Sequence, residues 1–292
     1  MHNTRHTDSE QAALWNGVAG NAWVELQGLL DDVYRSVETL LLAATPANAT
    51  RLLDVGCGTG GTTLALARML GTNAQCTGID ISEPMIAAAR ERATPEGASV
   101  RFVCADVQTH AFETARFDAI VSRFGVMFFD DPVMAFANLR RAARDGAALR
   151  LLAWRSAVEN PFMTTAEHAA APLLPNVPAR DADAPGQFAF ADPHRVAGIL
   201  AKSGWADIEI LPVDISCTFA ERDLVRYFTL LGPVGRALRG ADERTRARVV
   251  DAVRAAFDSY VHGDDVRFDA ACWMITARAP AASSTPQQTD DG

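Results

Sequence analysis

Residues 52–63 read LLDVGCGTGGTT, and this stretch decides which fold the rest of the chain can complete. An apolar run, a glycine-rich turn and the helix-like segment 62–70 predict a strand, a tight loop and a helix in succession. Gly56, Gly58 and Gly61 satisfy the spacing GxGxxG, which by itself is a weak signal for a dinucleotide site. The Lys and Ser/Thr pair that a P-loop needs after its last glycine is absent, so this is not a P-loop.

Strand-like and helix-like segments alternate on both sides of this loop. Five strands that alternate with helices predict a parallel sheet with right-handed crossovers, a Rossmann-like α/β fold. Two further strands follow later in the chain. The predicted strands are 51–55, 75–79, 100–104, 117–122, 148–154, 207–213 and 271–277. The predicted helices are 11–44, 62–70, 83–93, 132–144 and 193–203, with Ser82, Asp131 and Asp192 as N-caps of the last three.

We predict a single domain over residues 11–278, in which further segments are added to the strand–helix core. Its core comprises 45–155 and 192–278, and helical or proline-rich cap segments over the sheet comprise 11–44, 156–191 and 221–265. Insertions next to the late strands of such sheets commonly form lids over a pocket. Polar residues 1–10 and 279–292 are predicted to be disordered tails.

Asp54, two residues before the first glycine, argues against a dinucleotide in this loop. A pyrophosphate bound at the following helix N-terminus would meet the negative charge of this carboxylate. A ligand that carries an ammonium and a sulfonium group would instead be stabilised by it. The glycines allow the backbone to approach such a ligand closely.

The loop LLDVGCGTGGTT resembles motif I of the class I S-adenosylmethionine-dependent methyltransferases, and later segments resemble the family's other motifs in order. These are TGIDIS (77–82), VCADVQ (103–108), FDAIVSRFGVMFF (117–129) and DGAALRLLAW (145–154). The resemblance covers about residues 50–155 and is nearest to the subgroup of ubiquinone and menaquinone C-methyltransferases and many small-molecule methyltransferases. Arg123 departs from the quinone enzymes, which tend to have a small polar residue there.

This resemblance implies a seven-stranded sheet with an antiparallel last strand, helices on both faces, and S-adenosylmethionine as the cofactor. It implies that Asp80 binds the ribose hydroxyls, that Asp106 lies near the adenine amino group with Val107 beside the ring, and that Arg123 faces the cofactor. The segment WNGVAGNAW (15–23) is similar to a helix that closes over the methionine end. The implied cofactor-binding residues are Trp23, Asp54, Gly56, Gly58, Thr59, Gly60, Thr63, Asp80, Ile81, Met85, Asp106, Val107 and Arg123. Met85 could equally be a core residue.

Composition limits the partners. The net charge is −9, and the two arginine clusters at 140–144 and 244–248 lie on helix-like segments, which disfavours a nucleic-acid partner. The five cysteines form no CxxC pair, which is typical of reduced thiols in the cytoplasm rather than of disulfides or zinc. No apolar run approaches the roughly 18 residues of a membrane span, and no secretory signal is evident at the start.

We expect methyl transfer by direct SN2 displacement to the O, N or C atom of a small, apolar or aromatic acceptor. No acid–base pair identifies a catalytic residue, although His168, His194 and Tyr227 are candidate bases. Asp130-Asp131 lacks a third ligand, so no metal is expected. A nicotinamide-dependent oxidoreductase and a non-catalytic protein that binds S-adenosylmethionine remain as alternatives, and nothing specifies the oligomeric state. Aromatic residues expected near the pocket mouth are Phe128, Phe129, Trp154, Phe162, Phe188, Phe190 and Phe228.

Overall fold

A computed structural model describes residues 10–94, 99–174 and 184–281. Most of both predicted tails and part of the second cap segment lie outside these residues. The strands are β1 (Arg51–Val55), β2 (Gln75–Asp80), β3 (Val100–Cys104), β4 (Phe117–Arg123), β5 (Ala143–Trp154), β6 (Ala206–Ala220), β7 (Val261–His262) and β8 (Asp265–Arg278). The helices are α1 (Glu10–Asn16), α2 (Val18–Glu25), α3 (Gln27–Val33), α4 (Arg35–Ala44), α5 (Gly61–Leu70), α6 (Glu83–Ala93), α7 (Pro132–Ala142), α8 (Pro161–Ala170), α9 (Pro193–Lys202), α10 (Leu224–Leu230), α11 (Gly232–Leu238) and α12 (Glu243–Ala256).

The strands form one sheet in the order β3-β2-β1-β4-β5-β8-β6, and the two-residue β7 pairs with the start of β8. Strands β1 to β5 are parallel to one another, and β8 runs antiparallel between β5 and β6. This confirms the predicted fold class. The chain order reverses between β1 and β4, and in open α/β sheets ligands bind beyond the carboxyl ends of the strands at such a point.

Side-chain caps fix where the helices of the alternation begin. Asp131 and Asp192 each accept a backbone hydrogen bond of 2.9 Å from the first turn of the following helix, and Ser82 accepts a longer one of 3.4 Å. A proline occupies the first or second helical position in all three helices. These residues satisfy N–H groups that would otherwise lack a partner, which confirms the three predicted helix starts.

The N-terminal segment differs from the single helical stretch predicted over 11–44. It contains four helices, broken at Gly17, Leu26 and Tyr34. The breaks at Leu26 and Tyr34 are mild, because each N–H still donates to the carbonyl four residues earlier, at 3.0 Å. The segment therefore bends around the sheet while it keeps most of its helical hydrogen bonds.

Three strands are longer than predicted. Strand β5 begins at Ala143 rather than 148, because the Asp145-Gly146 turn is a bulge within the strand, with Gly146 at a φ of 76°. Strands β6 and β8 extend beyond the sheet as a paired ribbon, so 214–220 and 265–270 are strand as well. In the added part of β6, alternate side chains from 215 to 219 are buried, which is the period-2 pattern of a half-buried strand.

Helices cover both faces of the sheet. Helices α4 and α5 pack against each other, α4 against β4 and β5, and α5 against β2. Helices α7 and α9 form a second pair that packs against β5 and β6. All five cysteines are free thiols, and Cys104 is the one that is partly exposed. Ala279, within the predicted C-terminal tail, is buried, and its N–H donates to Ala147 at 3.0 Å.

Candidate functional site

A cavity of about 820 Å³ opens beyond the carboxyl ends of the parallel strands. Its floor consists of the loops after β1, β2, β3 and β4, and its roof consists of the N-terminal helices, α8, α10 and α11. A smaller pocket of about 30 Å³ adjoins the first glycine loop and shares Trp23, Tyr34, Gly56, Gly58, Arg123 and Phe124 with the large cavity. The volume is near the upper end of the range for small-molecule sites.

The glycine loop after β1 requires residues without a Cβ atom. Gly56 has a φ of 66°, and a Cβ atom on it would lie 2.6 Å from the Cα of Gly125 in the loop after β4. Gly58 has a φ of 55°, and its N–H donates to Asp80 at 2.8 Å. The loop therefore packs against β4 on one side and leaves its backbone open to the cavity on the other.

Asp54 lies at the end of β1 with 1% of its surface exposed. Its carboxylate accepts a hydrogen bond of 2.6 Å from the hydroxyl of Thr63 on α5. Burial raises the pKa of Asp54 from its ordinary value of 3.8 to about 6, and the Thr63 hydrogen bond and the charge of Arg123 oppose that rise. A positively charged ligand in the adjoining small pocket would favour the ionised carboxylate.

Asp80 ends β2 and lines the large cavity. One carboxylate oxygen accepts from the N–H of Gly58 at 2.8 Å and the other from the N–H of Ser82 at 2.9 Å. Burial raises the pKa of Asp80, and these two backbone donors counteract the rise. Each oxygen keeps a second lone pair, so the carboxylate can accept two further hydrogen bonds from a ligand.

Four side chains complete this end of the cavity. Ile81 and the buried Met85 come from the loop after β2 and from α6, and Asp106 and Val107 from the loop after β3. The carboxylate of Asp106 accepts from the backbone N–H of Gln108 at 2.8 Å, which holds its position. An apolar slot with a carboxylate at its edge suits a flat heterocycle that carries an amino group.

The end of β4 is tied to the end of β1. The hydroxyl of Ser122 donates to the carbonyl of Val55 at 2.7 Å and accepts from the N–H of Gly125 at 3.1 Å. Between them, Phe124 has a φ of 65°, a region that bulky side chains rarely adopt. Its ring stacks on Trp154, with centroids 4.5 Å apart and planes at 12°.

The N-terminal helices close one side of the cavity. Trp15 packs against Phe128, with ring centroids 5.0 Å apart, and against Trp23 at 6.2 Å. Several polar contacts fasten these helices to α6 and its N-cap. The hydroxyl of Ser82 donates to the carbonyl of Trp15 at 2.6 Å, and Asp31 forms an ion pair with Arg92 at 2.6 Å.

Aromatic side chains dominate the opposite, cap-facing part of the cavity. Tyr34 faces Tyr227 of α10, and burial raises the pKa of Tyr34 well above its ordinary value and that of Tyr227 to about 12. Both hydroxyls therefore stay protonated at neutral pH, and that of Tyr227 donates to the sulfur of Met163 at 3.7 Å. The other aromatic lining residues here are Phe124, Trp154, Phe162, Phe228 and Phe257.

Eleven of the thirteen implied cofactor residues line one or both of the two pockets. The exceptions, Gly60 and Thr63, lie behind the loop. A Cβ atom on Gly60 would meet Phe102 at 2.7 Å, and Thr63 supports Asp54. His168, His194 and Phe190 line neither pocket. Within the described residues, no three His, Cys, Asp or Glu side chains converge to hold a metal ion.

Comparison with known families matches residues 52–146, the segment from β1 to β5, to a methyltransferase domain. The match covers about a third of the chain. The sheet order and the antiparallel last strand agree with the fold that the resemblance to class I S-adenosylmethionine-dependent methyltransferases implies. Demethylmenaquinone methyltransferase of Staphylococcus aureus is 35% identical to the chain over 97 residues, which are 33% of this chain and 40% of that protein. The chain thus spans about two fifths of the length of the curated relatives that it matches.

Solved structures with the same fold extend the likeness beyond the methyltransferase domain match. The YcgJ protein of Bacillus subtilis has a TM-score of 0.55 at 15% identity, over 85% of this chain and 100% of that one. The cyclase SpnF has a TM-score of 0.55 at 20% identity, over 90% of this chain and 95% of that one. At these identities the likeness establishes the fold alone.

Several residues of the candidate site are not evident from sequence patterns. Tyr34 falls in an ordinary apolar helix pattern, and Ser122 and Gly125 lie inside a matched motif without a distinguishing signal of their own. Asp31 and Arg92 read as surface charges on separate helices. Only the packing of the N-terminal helices over the loop joins them.

Proposed function

We propose that this protein transfers the methyl group of S-adenosylmethionine to a small apolar or aromatic acceptor by direct SN2 displacement. One observation carries the proposal. The large cavity runs from Asp80 and Asp106, at the ends of β2 and β3, to an aromatic region beneath the cap, and Asp54 lines the small pocket that adjoins it, so two ligands can meet inside it.

The residues present fit the cofactor. The loop at Gly56 and Gly58 offers backbone that a ligand can approach closely, and Asp54 offers a buried carboxylate for the ammonium group. Asp80 supplies acceptors for the ribose hydroxyls, and Asp106 supplies one for the adenine amino group, with Ile81, Met85 and Val107 beside the ring. The ionised carboxylate of Asp54 also disfavours the pyrophosphate of a nicotinamide cofactor at this loop, because two neighbouring anions repel each other.

The cofactor supplies an activated methyl group on a positively charged sulfur. The chain supplies alignment, because holding two reactants in attack geometry can contribute about 7–11 kcal/mol of the barrier reduction. Trp15 and Trp23 cover the methionine side, and the aromatic residues beneath α8 and α10 surround the acceptor. Both exclude water from the reaction.

Calorimetric titration tests the cofactor. The purified protein is titrated with S-adenosylmethionine, S-adenosylhomocysteine and NADH. Asp80→Ala is compared with Asp251→Ala, which removes an exposed carboxylate on α12. We expect binding of the first two ligands, its loss in Asp80→Ala, and no change in Asp251→Ala. Binding of NADH alone would instead make this a dehydrogenase-type site.

Mass spectrometry tests the transfer itself. Phenolic, quinone-like and amine acceptors are incubated with protein and S-adenosylmethionine, and products are examined for a gained methyl group. Cofactor binding without methylated product from any acceptor class would favour a non-catalytic binding protein over an enzyme.

A further inference from the structure

Arg123, the last residue of β4, has a guanidinium nitrogen without a partner. Its Nη1 is buried, and among the residues that the structure describes it meets no hydrogen-bond acceptor. The side chain lines both the large cavity and the small pocket beside the glycine loop. Because a buried unpaired donor destabilises a protein by about 1–3 kcal/mol, and more if charged, its persistence points to a ligand acceptor.

The surroundings of Arg123 hold its head group in place. Its guanidinium carbon lies 5.8 Å from the ring centroid of Tyr34, a cation–π contact. Its backbone pairs with Leu152 of β5, and the next residue, Phe124, has the unusual positive φ and stacks on Trp154. The charge is thus fixed between the glycine loop and the aromatic region, where the two ligands would meet.

Besides Arg123, the large cavity has few cationic groups that could bind an acceptor anion. Its described lining contains no histidine and no lysine. The second cation in the lining, Arg236, interacts with other groups of the chain. The lining carboxylates are those of Asp80, Asp106, Asp130 and Glu167, and the first two accept backbone hydrogen bonds. Tyr34 and Tyr227 stay protonated.

We propose that Arg123 binds the ionised oxygen of the methyl acceptor, and that the acceptors are acidic phenols carried on an apolar or aromatic body. This inference rests on the proposed methyl transfer. An anion between the guanidinium and the sulfonium would attract both, as Asp54 does from the end of β1, and a phenolate is both such an anion and the nucleophile. A cation within about 4–6 Å favours the ionised form of a phenol, so no side-chain base is required.

Methyl transfer to the phenol oxygen forms one bond and breaks another. The phenol releases its proton to solvent on binding. A lone pair of the resulting oxygen anion forms the new O–CH3 bond, the carbon–sulfur bond breaks, and its electron pair stays on sulfur. The products are an aryl methyl ether and S-adenosylhomocysteine. Arg123 donates to the oxygen throughout and is therefore a catalytic residue.

The test measures the ionisation of the bound phenol directly and requires no catalytic turnover. Para-nitrophenol and a nitronaphthol absorb at longer wavelength when ionised. Each is titrated with pH in the presence of saturating S-adenosylhomocysteine and wild-type protein, Arg123→Met, Arg123→Lys or Arg236→Met. We expect wild type to lower the apparent pKa of the bound phenol, Arg123→Met to abolish this shift and weaken binding of the anion about 10- to 100-fold, and Arg123→Lys to restore part of it. Arg236→Met, the matched loss of a cation from the same cavity, should behave as wild type.

Calorimetry of the same variants separates this role from one in cofactor binding. S-adenosylhomocysteine has the amino-acid carboxylate, and methylthioadenosine lacks it. If Arg123→Met weakens only the former and leaves the phenol shift intact, the guanidinium binds the cofactor carboxylate and the inference is overturned. The inference is also overturned if the wild-type protein binds the neutral phenol more tightly than the anion. Equal effects of Arg123→Met and Arg236→Met on the phenol pKa would overturn it as well. If the wild-type protein does not bind S-adenosylhomocysteine, the proposed function is rejected instead. The phenol titration can then be repeated without S-adenosylhomocysteine, and it still tests the anion site at Arg123.

Discussion

Asp54 is a buried carboxylate, and its ionisation destabilises the folded protein. Its pKa of about 6 in the folded protein exceeds the ordinary value of 3.8, so the native state binds its proton more tightly than the unfolded chain does. The stabilisation from that proton is complete below pH 4 and is lost as pH rises through about 6. The loss amounts to at most about 3 kcal/mol.

We therefore predict that Asp54→Asn stabilises the ligand-free protein by about 1–3 kcal/mol at pH 8 and by much less at pH 4. The same variant should bind S-adenosylmethionine more weakly, because the ammonium loses its counter-charge. Urea unfolding at both pH values measures the first effect and calorimetry the second. A stability gain that is equal at both pH values would contradict the assigned cause.

Gly125 shows how closely the loops after β1 and β4 approach. A Cβ atom on it would lie 2.6 Å from the carbonyl oxygen of Val55 and 2.7 Å from the Cα of Gly56. We predict that Gly125→Ala destabilises the protein by about 1–3 kcal/mol through this overlap. Gly28→Ala on α3, where no atom lies within 4 Å, is the control. It should be neutral or stabilising by up to about 1 kcal/mol. Thermal denaturation of both variants measures the difference.

At the scale of elements, the cavity depends on how α3 is attached to α6. Arg92 forms an ion pair with Asp31 at 2.6 Å and donates to the carbonyl of Thr59 in the glycine loop at 3.0 Å. One side chain thus joins the N-terminal helices, α6 and the loop. The pair is partly exposed, so its contribution to global stability is small.

We predict that Arg92→Met raises amide hydrogen exchange in α2 and α3 and weakens S-adenosylhomocysteine binding severalfold, with little change in melting temperature. Arg90→Met, on the same helix, removes a more exposed ion pair of 3.4 Å with Glu83 and should change neither property. Unchanged exchange in Arg92→Met would show that the N-terminal helices are held by their apolar contacts alone.

At the scale of the whole molecule, the cavity walls come from segments spread along most of the chain, between α1 and α12. A ligand that contacts all of them should stabilise the entire native state. At a concentration about 100 times its Kd, S-adenosylhomocysteine should add about 2.7 kcal/mol, or about 5–10 °C in melting temperature for a chain of this size. Differential scanning fluorimetry measures this shift, and a shift that does not grow with ligand concentration would contradict specific binding.

None of the described helices combines the length and apolarity that a bilayer crossing requires. The long β6–β8 ribbon instead extends the sheet beneath the cap, where Phe268 stacks on Phe162 of α8 with centroids 3.9 Å apart. This ribbon connects the cap to the methyltransferase core through continuous hydrogen bonding. The cap is therefore built on the sheet rather than on a separate element.

The sequence by itself determined where the acidic side chains of the candidate site lie in the sheet. Asp54 and Asp80 lie at the ends of β1 and β2, and Asp106 follows β3. Because parallel strands bring their carboxyl ends to one edge of the sheet, local patterns were enough to assemble these acids. Local sequence patterns likewise determined the helix starts at Ser82, Asp131 and Asp192. Only the tertiary structure decided the lengths of β6 and β8, because pairing with a distant strand sets where a ribbon ends. It alone joined Tyr34, Arg123 and Tyr227, since side chains so far apart in sequence share no periodicity, and their contact depends on how the N-terminal helices and the cap pack over the sheet.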